Sequence, residues 1–122
     1  MKLGWHWILD ARGCRPERIA DPACLREVLD TLPAHLGLTA VAPPQHFEHR
    51  EESGTTLAGL VLLAESHLSL HAHPALGVLQ VDLFSCAHFE PGKALAFLEA
   101  RYGFTDVEQR LLERGLPERR SG

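Results

Sequence analysis

The chain has 122 residues and a mass of 13.5 kDa, the size of a single domain. Hydrophobic residues make up 45% and charged residues 23%, too apolar a balance for wholesale disorder. With 12 Lys and Arg against 16 Asp and Glu the formal net charge is −4, which argues against a nucleic-acid or anionic-membrane surface, because both need a basic patch.

Leu3 to Ala11 is apolar and aromatic and predicts a strand that ends at Gly13. Asp21-Pro22 supplies an N-cap followed by proline at the first helical position. Leu25, Val28, Leu29, Leu32 and Leu36 then recur at helical spacing until Gly37 stops the run. Leu38 to Ala42 predicts a short strand, cut off by Pro43-Pro44, and the polar stretch 46–56 (HFEHREESGTT) predicts a loop turning at Ser53-Gly54. Leu57 to Ala64 is apolar at both alternating sets of positions, the pattern of a strand covered on both faces. His67 to His71 alternates, with Leu68 and Leu70 on one face and His67, Ser69 and His71 on the other.

Pro74 and Gly77 mark the next turn. Val78 to Cys86 predicts a strand with Leu79, Val81 and Leu83 on one face and Gln80, Asp82 and Cys86 on the other, beside Val78 and Phe84. Glu90-Pro91 opens a second helix whose apolar stripe is Ala94, Leu95, Phe97, Leu98 and Tyr102 and whose C-cap is Gly103. A last strand covers about Thr105 to Leu111, and PERRSG at 117–122 is a polar tail. This order predicts one α+β domain over 1–122: a two-layer α/β sandwich, an antiparallel sheet with two helices on one face.

No apolar run approaches the roughly 20 residues of a spanning helix, and the first ten residues (MKLGWHWILD) lack a signal-peptide core and cleavage site, so a cytoplasmic protein is expected. Cys14, Cys24 and Cys86 form an odd set without a Cys-x-x-Cys pair, which predicts reduced thiols. A domain of this size buries only about two-thirds of its unfolded surface. With aromatics at 7%, oligomerisation is expected to complete the core.

The chemistry gathers in the middle of the chain. Leu62-Leu63-Ala64-Glu65-Ser66-His67-Leu68-Ser69-Leu70-His71 sets a carboxylate, two serines and two histidines at the end of an apolar run, and Cys86 follows fifteen residues later. Polar groups in a buried strand must satisfy one another or face a cleft. On spacing alone several readings stand: His67, Ser69 and His71 as the wet face of an antiparallel strand; His71, His73, Cys86 and His88 as ligands of zinc or copper, though at no recognised metal spacing, so that no metal is expected; Ser66 as a hydrolase nucleophile, though without a Gly-x-Ser-x-Gly elbow; and Cys86 as a small buried hydrophobe.

The stretch LLAESHLSLHAHP followed by VDLFSC resembles the prokaryotic S-adenosylmethionine decarboxylase family, as do GWHWILDARGC near the start and EPGKALAFLEARYG in the second helix. The likeness spans nearly the whole chain and is most specific over residues 60 to 86, where Glu65-Ser66-His67, His71 and Cys86 stand at matching spacing. It implies self-cleavage between Glu65 and Ser66. The Ser66 hydroxyl attacks the Glu65 carbonyl, the peptide bond becomes an ester, and elimination and hydrolysis leave a pyruvoyl group derived from Ser66. That ketone accepts the electrons released with carbon dioxide, which no ordinary side chain can do.

By the same resemblance His71 serves as acid or base in self-cleavage, Cys86 returns a proton to the decarboxylated carbon, Glu65 ends as a C-terminus, and His67 has a supporting place. A homodimer with active sites at or near the interface is also implied, as is a small-molecule amine substrate. Two departures bear on that substrate: Ala72-His73-Pro74-Ala75 replaces the family's small residue, aromatic, Pro and Glu, and Ala58 stands where the family has Ser or Thr, with Thr55 and Thr56 nearby. S-adenosylmethionine decarboxylation for spermidine synthesis is the leading expectation. Ornithine or arginine is the alternative, with Glu51, Glu52 and Asp82 as partners for a cationic side chain. A third reading is an uncleaved, non-catalytic homologue.

Overall fold

The structure, a computed structural model, describes residues 2–116. Six antiparallel strands form one sheet: β1 (Lys2–Arg12), β2 (Gln45–Glu51), β3 (Gly54–Leu63), β4 (Ser66–His73), β5 (Val78–Ser85) and β6 (Asp106–Gly115), in the order β2-β3-β4-β5-β1-β6. Helices α1 (Pro16–Ile19), α2 (Pro22–His35) and α3 (Pro91–Tyr102) complete the α+β sandwich. The expected class therefore holds, with a one-turn helix, α1, added at Pro16. The tail expected at 117–122 lies outside the described residues. No helix among the described residues is long and apolar enough to cross a membrane.

The amphipathic patterns account for the core. Asp21 caps α2 by accepting a bond from the Ala23 N–H at 2.9 Å, and Leu25, Val28, Leu29 and Leu32 turn inward. They meet the inner face of the sheet, made by Trp7 and Leu9 of β1, Leu57 and Val61 of β3, Leu68 and Leu70 of β4, and Leu79, Val81 and Leu83 of β5. Gly59 belongs to this seam because a Cβ there would overlap Leu29 Cδ1, itself buried. The Trp7 indole N–H, buried with its ring, donates to Gln109 Oε1 at 2.9 Å, which joins β1 to the edge strand β6.

Four expectations need correction. Stretch 46–56 is no loop: residues 45–51 form strand β2, which turns at Glu52 and Ser53 into β3. Every β2 residue is exposed, as befits an edge strand with no apolar alternation to betray it. Leu38 to Ala42 forms no strand; it makes one isolated bridge, Ala40 to Leu63, and two backbone bonds, Val41 N–H to Leu62 O and Ala64 N–H to Thr39 O, before the prolines break the pairing. Strand β3 is buried on one face only, with Leu60 36% and Leu62 51% exposed in the single chain. Finally, β5 ends at Ser85, so Cys86 sits in the turn beyond the strand rather than on it.

Cys14, Cys24 and Tyr102 lie buried together between the helices and β1. Burial pushes the Cys14 thiol from 9.0 up to about 11 and raises Cys24 and Tyr102 as well. Above the ordinary thiol value the unfolded chain therefore binds fewer protons than the folded one, and stability falls as pH rises. Full stability is expected below pH 9.0 and progressive loss up to about 11. The slope is about 1.4 kcal/mol per pH unit for each thiol. Urea unfolding at pH 7, 9 and 10 checks this, and Cys14→Ala should flatten the alkaline limb.

Candidate active site

The β3–β4 hairpin turns through Ala64 and Glu65, with Leu63 paired to Ser66. Glu65 adopts φ 58°, the only non-glycine residue with positive φ among those described. A side chain in that conformation costs roughly 1–2 kcal/mol. The hairpin therefore concentrates strain at the residue whose carbonyl opens the 65–66 bond.

Both sides of that bond are gripped by one residue. The Cys86 N–H donates to Ser66 Oγ at 3.2 Å, and Cys86 Sγ–H donates to the Glu65 carbonyl oxygen at 3.0 Å. Ser66 Oγ–H in turn donates to the Ala64 carbonyl at 3.3 Å. A donor on the carbonyl oxygen draws charge from its carbon and readies it for attack. Cys86 is exposed, unlike the buried Cys14 and Cys24, so packing alone does not explain it. Strand pairing of β4 with β5 brings the two segments together, because the register that sets His67 against Phe84 leaves Ser66 beside the turn after Ser85.

Aromatic groups flank the site on the open face of the sheet. Phe84 packs tilted against His67 at 5.9 Å and edge-on to His6 at 6.3 Å, with the Arg114 guanidinium 5.4 Å from its ring centre. Asp82 sits behind them and pairs with His6 Nε2 at 3.0 Å.

The remaining expected residues lie elsewhere. His71 is exposed on β4, directly across from Ala58 on β3 and Gln80 on β5. At about 3.3 Å per residue it stands roughly 16 Å along the strand from Ser66. Glu51 and Glu52 are at the β2–β3 turn, the opposite end of the hairpin, where His49 Nε2 meets Glu51 Oε1 at 2.9 Å. His73 bonds Gln80 Oε1 at 3.0 Å, and Gln80 Nε2 donates to Asp10 Oδ1 at 3.3 Å. Ser53, Thr55, Thr56, His73 and Ala75 line a shallow cleft at that same far end. Among the described residues no three His, Cys, Asp or Glu side chains converge as metal ligands. Sequence reasoning missed Ser85, whose hydroxyl is buried behind Cys86; a serine at an inward position of an otherwise apolar strand was the available signal.

The class the structure defines is an antiparallel α/β sandwich in which a Glu-Ser hairpin bond, with the Glu at positive φ, is held by a cysteine just past the next strand's end. Comparison with known proteins places it further. The profile of a family described as S-adenosylmethionine decarboxylase matches residues 5–115. The S-adenosylmethionine decarboxylase proenzyme of Pyrococcus furiosus is 32% identical over 117 residues, covering 95% of this chain and 81% of that protein. The proenzyme of Parasynechococcus marenigrum is 40% identical over 97 residues, covering 79% and 73%. The crystal structure of the adenosylmethionine decarboxylase from Aquifex aeolicus superposes with a TM-score of 0.80 at 26% identity, covering 99% of this chain and 98% of that one. The chain belongs to the S-adenosylmethionine decarboxylase family.

Proposed function

We propose that this chain is a self-processing, pyruvoyl-dependent S-adenosylmethionine decarboxylase of the cytoplasm, a reducing compartment that keeps Cys86 a thiol. The observation that carries the reading is the pair of Cys86 donors on the two reacting atoms of the 65–66 linkage. Ser66 Oγ forms a bond to the Glu65 carbonyl carbon, the C–N bond breaks, and the hydroxyl proton passes to the released nitrogen. Loss of the α-proton of residue 66 then expels the Glu65 carboxylate. Water replaces the nitrogen, which leaves as ammonia, and residue 66 ends as a ketone. One domain thus becomes two chains, 1–65 and 66–122.

The residues present fit such a group: the Ser66 hydroxyl is held in place, its target carbonyl is polarised, and the strain at Glu65 is relieved once the bond opens. The pyruvoyl carbonyl supplies the electron sink on which a carboxylate leaves as carbon dioxide. Cys86 Sγ, beside residue 66, holds the proton that returns to the substrate carbon. Phe84, His67 and His6 give an aromatic, partly apolar wall beside it.

His71 belongs to the same chemistry through a second copy. It cannot span roughly 16 Å within its own strand. Among the described residues the sheet face that carries it is bare of helices and shows Phe47 64%, Leu60 36% and Leu62 51% exposed, surface that a partner sheet would cover. A homodimer packed through these faces with its strands running oppositely sets the His71 end of one chain over the Ser66 end of the other. Imidazole is suited to take the α-proton there.

A basic amino acid is the second reading for the substrate. Ala75 stands where the family pattern has a glutamate, so that position brings no carboxylate for ribose hydroxyls, and Asp82 lies on the open face for a cationic side chain. Intact mass of the purified protein should show two fragments split after Glu65. Carbon dioxide release should then be fastest from carboxyl-labelled S-adenosylmethionine, rather than from ornithine or arginine. Faster release from either amino acid transfers the assignment to it, and a chain that stays whole and turns over none of the three ends the enzyme reading.

A further inference from the structure

Ser85 is a polar side chain with none of its surface exposed, at the last position of β5. Its hydroxyl is used twice by the same residue. Ser85 Oγ–H donates to the Ala87 carbonyl at 2.6 Å, and the Ala87 N–H donates back to Ser85 Oγ at 3.0 Å. The pair of bonds closes a tight loop around the one residue between them, Cys86. On its other side Ser85 is fixed by β1: it pairs with Trp5, and Gly4 passes so close that a Cβ there would stand 2.7 Å from the Ser85 carbonyl oxygen. The strand has ended, so no sheet ladder holds Cys86. Besides its own bonds to Ser66 and Glu65, what holds it is the Ser85 staple.

Resting on the self-cleavage reading above, we propose that Ser85 is a positioning residue for the reaction, setting the direction of both Cys86 donors. The Cys86 N–H reaches Ser66 Oγ at 3.2 Å and its thiol reaches the Glu65 oxygen at 3.0 Å. Neither distance leaves slack: a displacement of about 1 Å at such contacts is enough to cost 10²-fold in rate. With its proton donated to Ala87 and its oxygen accepting from the same residue, the hydroxyl restrains the turn to this geometry. The same turn aims the thiol after cleavage, when its proton must go to the substrate carbon.

Freshly made full-length Ser85→Ala, Ser85→Thr and parent chains are followed by intact mass as they split after Glu65. Ser85→Ala is expected to cleave at least about 10-fold more slowly, and Ser85→Thr, which keeps the hydroxyl, to recover most of the rate. In the material that does cleave, kcat should fall with KM little changed. Fragment 66–122 should also lose its ketone mass sooner per turnover, through protons delivered to the wrong carbon. Thermal unfolding of the same changes on a Ser66→Ala background separates stability from positioning. A residue that only stabilises the fold would lower the midpoint and leave cleavage at 25 °C untouched, and that result overturns the proposal. Should Ser85→Ala not accumulate folded, Ser85→Cys, of similar volume with weaker bonds, is expected to cleave more slowly than both the parent and the Thr variant; cleavage at the parent rate overturns the proposal equally. If the parent itself never splits, the self-cleavage reading fails first, a result distinct from a parent that splits and a Ser85→Ala chain that matches it.

Discussion

The Ser66→Ala chain is expected to stay whole at the bond after Glu65 and to release no carbon dioxide from any substrate, while folding as the parent does. Its side chain makes two hydrogen bonds, to Ala64 and from Cys86. Each contributes only about 0.5–1.5 kcal/mol to stability. Activity by contrast is expected to be lost, because in the proposed reaction the hydroxyl is the attacking group and the source of the ketone. Intact mass and circular dichroism check both halves of the statement. The same variant tests the dimer. A His71→Ala chain keeps Ser66, and a Ser66→Ala chain keeps His71, so co-expression should restore cleavage of the His71→Ala chain if the imidazole acts across the interface. Cleavage of His71→Ala alone at the parent rate would remove His71 from the mechanism.

Cys86→Ala is expected to show two separate defects. Loss of the thiol leaves the Glu65 oxygen without the donor now 3.0 Å away. Removing an oxyanion donor costs about 10²–10³-fold, and a thiol is a weaker donor than an amide, so self-cleavage slowed by roughly 10–100-fold is the expected result. The backbone N–H on Ser66 Oγ survives the substitution, which is why cleavage slows rather than stops. Once processed, the variant lacks a proton source at the substrate carbon. Protonation at the α-carbon of residue 66 would then be followed by water taking the substrate carbon away as an aldehyde, so that residue 66 would keep the substrate's nitrogen and end as alanine. The mass of fragment 66–122 reports that conversion directly. Cys86→Ser, which retains a donor, should cleave faster than Cys86→Ala. Equal rates for all three chains would make Cys86 a bystander.

Helices α2 and α3 are legible in the sequence because Asp21-Pro22 and Glu90-Pro91 open them, apolar residues recur at helical spacing, and Gly37 and Gly103, at φ 77° and 62°, close them. Strands β4 and β5 are legible from their alternation. Strand β2 is not, since it lies at the sheet edge with all its side chains in water, and HFEHRE carries the composition of a loop. Leu38 to Ala42 misleads in the opposite direction: it has strand-like residues, but Pro43-Pro44 ends the pairing after one bridge.

The site divides in the same way. Glu65, Ser66 and Cys86 can be named together because their spacing matches a family pattern, and the β4–β5 register brings them into contact. Asp82 proves to be the partner of His6, a pairing between residues 76 positions apart that no local pattern announces. Glu51 and Glu52 lie at the other end of the hairpin, beyond reach of Ser66 in one chain. The role of Ser85 depends on two bonds to a residue only two positions away, yet its meaning comes from what Cys86 touches across the sheet.

The amino-acid sequence by itself determined the class of fold and the limits of α2 and α3, because caps and periodicity are local properties, and its resemblance to a family pattern pointed to the 65–66 bond. Tertiary structure alone decided that Glu65 is held at positive φ, that one cysteine grips both ends of the 65–66 linkage, and that the His71 side of β4 is an open face. Those facts follow from strand register and layer packing, which join residues far apart in the chain and which no stretch of sequence encodes on its own.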